Sequence, residues 1–193
     1  MDCKLLDAPA AFAEIARMGA AGEEGVVVNI AERLWAGCAP DDAFDETVRA
    51  ERSILIFHSD YRPGMVDLVL PGDLCICVLE RRHSYPGDRM FRAAQDALRG
   101  RGITAAARGS DFLLLRGERQ VCKVGSYGIA RRGALWETTV HLSIHADMEL
   151  LRSFRTAPPE MERAGLDQYG VTAGELWEAM REEVTGEWTD SRR

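Results

Sequence analysis

A chain of 193 residues with 46% hydrophobic and 28% charged residues has the make-up of a globular domain able to bury its own core. Its net charge of -7 argues against non-specific nucleic-acid or anionic-membrane binding, which needs clustered positive charge. No apolar run approaches membrane-spanning length and Met1-Asp2-Cys3-Lys4 lacks the layout of a signal peptide, so the sequence reads as cytoplasmic, with neither nucleic acid nor membrane as partner.

In chain order, Phe12, Ile15 and Ala16 at helical spacing predict a helix over 9–18, with Lys4 before it as a frayed end. Glycines over 19–25 predict a break before the strand Val26-Val27-Val28. A second helix is expected over 41–51, then a buried strand at Ser53-Ile54-Leu55-Ile56-Phe57. Strands over 65–70 and 73–79 are expected to be joined by a tight turn at Pro71-Gly72.

The segment 88–99 puts Met90, Phe91, Ala94, Ala97 and Leu98 on one stripe and Arg89, Arg92, Gln95, Asp96 and Arg99 opposite, an amphipathic helix ended by Gly100 and Gly102. Short strands follow over 103–107, 111–115 and 119–124, the last meeting a glycine-rich turn over 125–128. Over 135–145 the alternation is clean, with Glu137, Thr139, His141, Ser143 and His145 forming a polar face that is a candidate site wall. Thr172 and Glu175 make a capping box, and Val171 with Leu176 a hydrophobic staple, for a helix burying Leu176, Trp177, Met180 and Val184. The predicted class is α+β, a mixed, hairpin-rich β-sheet flanked by helices. Residues 1–184 read as one domain and 185–193 as a tail.

Lys123 is one of only two lysines, in Val121-Cys122-Lys123-Val124-Gly125-Ser126-Tyr127-Gly128. A flexible ammonium beside close-approach glycines suits an anionic phosphate or carboxylate. The plain alternative is an exposed strand lysine in an arginine-rich chain. Arg81-Arg82 and Arg131-Arg132 are candidate local anion sites. The five cysteines lack disulfide spacing and read mostly as small core residues. Cys75 and Cys77 share a strand face, but a single Cys-x-Cys is weak evidence for a metal. His141 and His145 lack further ligands nearby and read as solvated or hydrogen-bonded, so no metal site is assigned. P-loop, Rossmann and nucleophile-elbow motifs are absent.

Three stretches resemble the lipoate/biotin protein ligase and octanoyl transferase superfamily, in particular a divergent lipoate-protein ligase A-like catalytic domain. Arg62-Pro63-Gly64-Met65-Val66-Asp67-Leu68-Val69-Leu70-Pro71-Gly72-Asp73-Leu74 is similar to the family's Arg-Gly-Gly segment and the turn after it. Gly102-Ile103, Ser110-Asp111-Phe112, Lys123 and Gly125 to Gly128 resemble the strand pair carrying its ligand-binding lysine. Arg131-Arg132-Gly133-Ala134-Leu135 with His141-Leu142-Ser143-Ile144 and Asp147 to Leu151 resembles the next hairpin and helix, and Val171-Thr172 to Met180 a closing helix.

The resemblance implies the family's biotin/lipoate ligase fold and ATP-dependent activation of lipoate or a related carboxylic acid, with transfer to a lysine of a lipoyl-type carrier domain. ATP, with Mg2+ accompanying it, and the acyl group are the implied ligands. Lys123 is the implied catalytic residue. Arg62, Gly64, Gly72, Asp111, Gly125, Ser126, Gly128 and His141 are the implied binding residues. Departures keep alternatives open. Pro63 replaces one paired glycine, Val69 stands near the family's histidine, Gln120 competes with Lys123 for the lysine's place, and no cysteine follows Cys122 as an octanoyl transferase requires. A non-catalytic relative that binds an acyl ligand or carrier domain is one alternative, and an octanoyl-type acyltransferase the second.

Overall fold

The computed structural model describes residues 3–38, 55–58, 67–82, 89–109, 111–116, 119–147 and 164–186. The expected helix over 41–51 lies outside them. Strand β1 (Cys3–Leu5) precedes helix α1 (Ala8–Ala21) and strand β2 (Gly25–Ile30). Lys4 is therefore part of an edge strand rather than frayed, with Nζ 2.6 Å from Glu14 Oε1. Asp7 caps α1 by accepting from the Ala10 N–H at 3.0 Å. The helix continues through Gly19, where a break was expected, because Ala20 and Ala21 favour helix and the left-handed cap falls on Gly22 at φ 67°.

Strands β3 (Trp35–Cys38), β4 (Leu55–His58) and β5 (Asp67–Val69) form a small sheet of order β4-β3-β5. Strand β6 (Leu74–Glu80) instead enters a seven-stranded sheet. The Pro71-Gly72 turn is thus present, but it hands the chain from one sheet to the other and joins no hairpin. Its Gly72 has φ 94°, which a side chain tolerates poorly, and its N–H reaches the Ala31 carbonyl at 2.7 Å.

Helix α2 (Arg89–Arg99) is followed by β7 (Ala105–Arg108), β8 (Asp111–Arg116), β9 (Arg119–Arg132) and β10 (Leu135–Leu142). A short 3-10 helix (Leu166–Tyr169) and helix α3 (Ala173–Thr185) follow. The large sheet has the order β1-β2-β6-β10-β9-β8-β7. Only β1 and β2 pair in parallel within it, which makes it a mixed sheet. Residues 125–128 do not form a turn. They continue β9, and the irregularity sensed there is a bulge: Phe112 faces Gly125 while Leu113 faces Lys123, leaving Val124 as the extra residue.

One face of the large sheet carries the main core. Val26, Val28, Ile76, Val78, Val140 and Leu142 pack there against Met90, Phe91, Ala94 and Leu98 of α2 and Leu176, Met180 and Val184 of α3. The rings of Phe91 and Phe112 stack at 4.7 Å, with Tyr127 beside them. The capping box of Thr172 and Glu175 is formed as the sequence indicates, and α3 runs one residue past the expected boundary. Arg89 departs from the expected exposed stripe. It is buried, 3.3 Å from Glu80 Oε2, and donates to the Glu183 and Val184 carbonyls at the end of α3. Burial lowers its pKa to about 10.

The opposite face is covered at one end by α1, through Ala11 and Met18 against Val27, Cys77, Leu79 and Leu135. Farther along this face, Val69 of the small sheet and Ala31 pack against Cys75. No helix among the described residues is long and apolar enough to cross a membrane.

Candidate functional site

Period-two alternation decides which residues share the second face. Cys122 and Val124 belong to the helix-side core, so Lys123 points the other way. Register then lines up a row across five strands: Asp111 opposite Ser126, Ser126 opposite His141, His141 opposite Cys75, and Cys75 opposite Asn29. Lys123 follows on the same side just past the bulge, and Gly128 lies beside Thr139 one step along.

Lys123 is 19% exposed, and its Nζ lies 2.6 Å from Asp111 Oδ1. Two implied residues, twelve positions apart on the paired strands β8 and β9, are therefore in contact. The Lys123 carbonyl accepts from the Ala164 N–H at 3.0 Å, which fixes the backbone beneath the ammonium.

Gly125 needs no ligand to explain it. A Cβ there would collide with the His141 carbonyl oxygen, so the close approach of β10 requires glycine. Gly125 also has strand partners on both sides, Leu142 and Phe112. At Gly128 a Cβ would sit 3.1 Å from Thr139 Oγ1. Gly72 lies against a different group: a Cβ there would be 3.0 Å from His145 Nε2. Arg62 and Gly64 lie outside the described residues.

His141 is buried and its Nε2 lies 3.0 Å from Asp73 Oδ2. Asp73 was not singled out by the sequence, yet it is fully buried and organises this end of the site. Its Oδ2 also accepts from the Leu70 N–H at 2.9 Å, and its Oδ1 accepts from Ile144 at 2.7 Å and His145 at 3.3 Å. A carboxylate already receiving N–H groups acts as acceptor, so His141 carries its hydrogen on Nε2 and leaves Nδ1 as acceptor. The available signal was an acidic residue directly after a turn glycine and directly before an apolar strand.

The two histidines are not a pair. The strand ends at Leu142, and His145 turns to Asp167, with Nδ1 2.8 Å from Oδ2. No group of three or more metal-binding side chains occurs among the described residues. The arginine pairs are spent internally. Arg81 donates to the Gly22 carbonyl, Arg82 sits 3.8 Å from Glu80, Arg131 stacks over Trp136, and Arg132 pairs with Glu137. Cys77 is buried, which together with the charge of Glu137 pushes its thiol up. Cys75 is only half-buried, so the two cysteines share a face but not an environment.

No family model matches the sequence, and no curated protein matches it. Solved structures do. A bi-partite lipoate protein ligase studied with its E2 lipoyl domain, from Thermoplasma acidophilum, is 17% identical and superimposes with a TM-score of 0.72, covering 95% of this chain and 82% of that one. A lipoate-protein ligase A bound with ATP is also 17% identical, with a TM-score of 0.69 and coverage of 95% and 84%. A biotin protein ligase from Leishmania major in complex with biotin is 12% identical, with a TM-score of 0.54 and coverage of 98% and 77%. The chain has the catalytic-domain fold that lipoate and biotin protein ligases share.

Proposed function

We propose that this chain is an acyl-protein ligase of the lipoate type. In this reading lipoate or a related small carboxylic acid is activated by ATP as an acyl-adenylate and passed to a lysine of a lipoyl-type carrier domain. The observation that carries it is the placement of Lys123, a partly buried ammonium fixed by Asp111 on the sheet face opposite the helices, in a fold whose solved examples include ATP- and biotin-bound forms.

Lys123 would neutralise the adenylate phosphate and polarise the acyl carbonyl. Asp111 would orient the ammonium, and its carboxylate is an oxygen ligand of the kind Mg2+ accompanying ATP accepts. Ser126, in the same row, would offer a hydroxyl to the acid, and His141, whose Nε2 hydrogen goes to Asp73, would offer its other ring nitrogen to a ligand. Gly128 leaves room beside Thr139, Gly72 holds the turn against which His145 rests, and Gly125 lets the strands close beneath the site. Arg62 and Gly64 complete the anion-binding set in this reading.

A second reading, a non-catalytic relative that binds an acyl ligand or a carrier domain, draws on one observation: the charge of Lys123 is already matched by Asp111. Binding and turnover separate the two. Lipoate with ATP should raise the melting temperature more than either alone, by the equivalent of about 2.7 kcal/mol at a hundredfold excess over the dissociation constant. A lipoyl-domain acceptor should gain the mass of one lipoyl group only when ATP is present. Lys123→Met should abolish both. A stabilised protein without transfer would favour the binding reading, and no response at millimolar ligand would remove the ligase reading.

A further inference from the structure

We propose that Asn29 selects the acid: it reads an N–H group near the far end of the acyl tail, so the preferred substrate carries an amide-like N–H there rather than an all-hydrocarbon tail. The inference rests on the ligase reading, in which Lys123 holds the activated carboxyl group.

Asn29 ends the row of side chains that starts at Asp111, on the face opposite the core that takes Val26 and Val28. It is 3% exposed. Its Nδ2 donates to the Leu6 carbonyl at 2.9 Å, and since a carbonyl can only accept, the orientation of the amide is fixed. Oδ1 is the atom left over, buried and with no hydrogen-bond partner. A buried acceptor without a donor is uncommon and costly, and a ligand that supplies the donor removes the cost.

The surroundings put that residue at a seam. Helix α1 covers the neighbouring row, packing Ala11 and Met18 over Val27 and Cys77, whereas Val69 of the small sheet, with Ala31, packs against Cys75. Val27 pairs with Cys77 and Asn29 with Cys75, so Asn29 lies where one cover gives way to the other.

Reach agrees with this. Lys123 is on β9 and Asn29 on β2, three strand spacings away, roughly 14 Å at the backbone. With a hydrogen-bond length of about 3 Å allowed at each end, the remainder matches an extended tail of about seven atoms at about 1.2 Å per atom. Between the two, His141 gives its Nε2 hydrogen to Asp73, which makes Nδ1 a second acceptor in the row. A floor that offers acceptors suits a tail that brings a donor.

The test compares two acids of equal length on the full chain. One is N-acetyl-ε-aminocaproate, whose N–H falls at the required distance, and the other is the keto acid in which a methylene replaces that N–H. Isothermal titration calorimetry without ATP should show the amide acid binding at least about tenfold tighter, since only it satisfies Oδ1. In Asn29→Leu, checked for folding by circular dichroism, the ratio should fall below about twofold. Equal binding of the two acids by the parent chain would overturn the proposal whatever the variant does, and a tenfold preference that persists in folded Asn29→Leu would overturn it too. Lipoate transfer with ATP alongside undiscriminated acids would remove Asn29 as selector and leave the ligase reading standing. A preference that depends on Asn29, with no acid releasing pyrophosphate from ATP, would remove the ligase reading and leave the selection. No binding of either acid at millimolar concentration would overturn the selection.

Discussion

His141 Nε2 lies 3.0 Å from Asp73 Oδ2, and the same carboxylate receives the backbone N–H groups of Leu70, Ile144 and His145. One buried side chain thus ties the turn between the two sheets to the end of β10. Asp73→Ala should leave those donors without an acceptor in a dry setting, at a loss of at least about 3 kcal/mol in urea unfolding. A loss under 1 kcal/mol would mean that water or a rearranged backbone replaces the carboxylate.

Gly125 and Gly174 should respond to alanine with opposite signs. At Gly125 the new methyl would strike the His141 carbonyl, costing about 2 kcal/mol. At Gly174, on the exposed first turn of α3, nothing lies within 4 Å, and alanine should add about 0.5 kcal/mol by lowering the entropy of the unfolded chain. Chemical denaturation of the two variants, side by side, checks the contrast.

Lys123 and Asp111 are 19% and 36% exposed at their side chains, so solvent screens much of their attraction. A double-mutant cycle with Lys123→Met and Asp111→Asn should give a coupling of no more than about 1 kcal/mol. Lys123→Met should therefore lose its response to ATP and lipoate while unfolding close to the parent. A variant that is unfolded at room temperature would contradict this.

Acid should weaken the fold through surface carboxylates with depressed pKa values. Hydrogen bonds from Arg101, then Thr172, hold Glu175 near 2 against an ordinary 4.5, and Arg17, then Lys4, do the same for Glu14. A folded-state pKa below the unfolded one adds stability that is complete above about 4.5 and disappears as pH falls toward 2. The melting temperature should drop through that window, and less steeply in Glu175→Gln. Parallel acid limbs for variant and parent would rule out a contribution from Glu175.

Local rules were enough for α2 and α3. The apolar stripe of α2 and the capping box of α3 follow from contacts within one or two turns, so spacing alone determined them. The Lys123 strand and its neighbouring irregularity were also legible, because period two and a glycine pair leave a direct mark on the chain. What the irregularity was could not be read locally. A bulge and a turn ask for similar residues, and only pairing with β8 and β10 distinguishes them. The same limit hid the separation of β5 from β6, since Pro71-Gly72 serves a hairpin or a change of sheet equally well.

The sequence by itself determined a mixed α+β chain with an ammonium poised on one strand face. The tertiary structure decided which partners that face has: Asp111 beside Lys123, Asp73 behind His141, and Cys75 across from it. Those contacts join residues from separate strands, and no local preference encodes them. They depend on sheet order and register, which burial of whole strand faces selects at once.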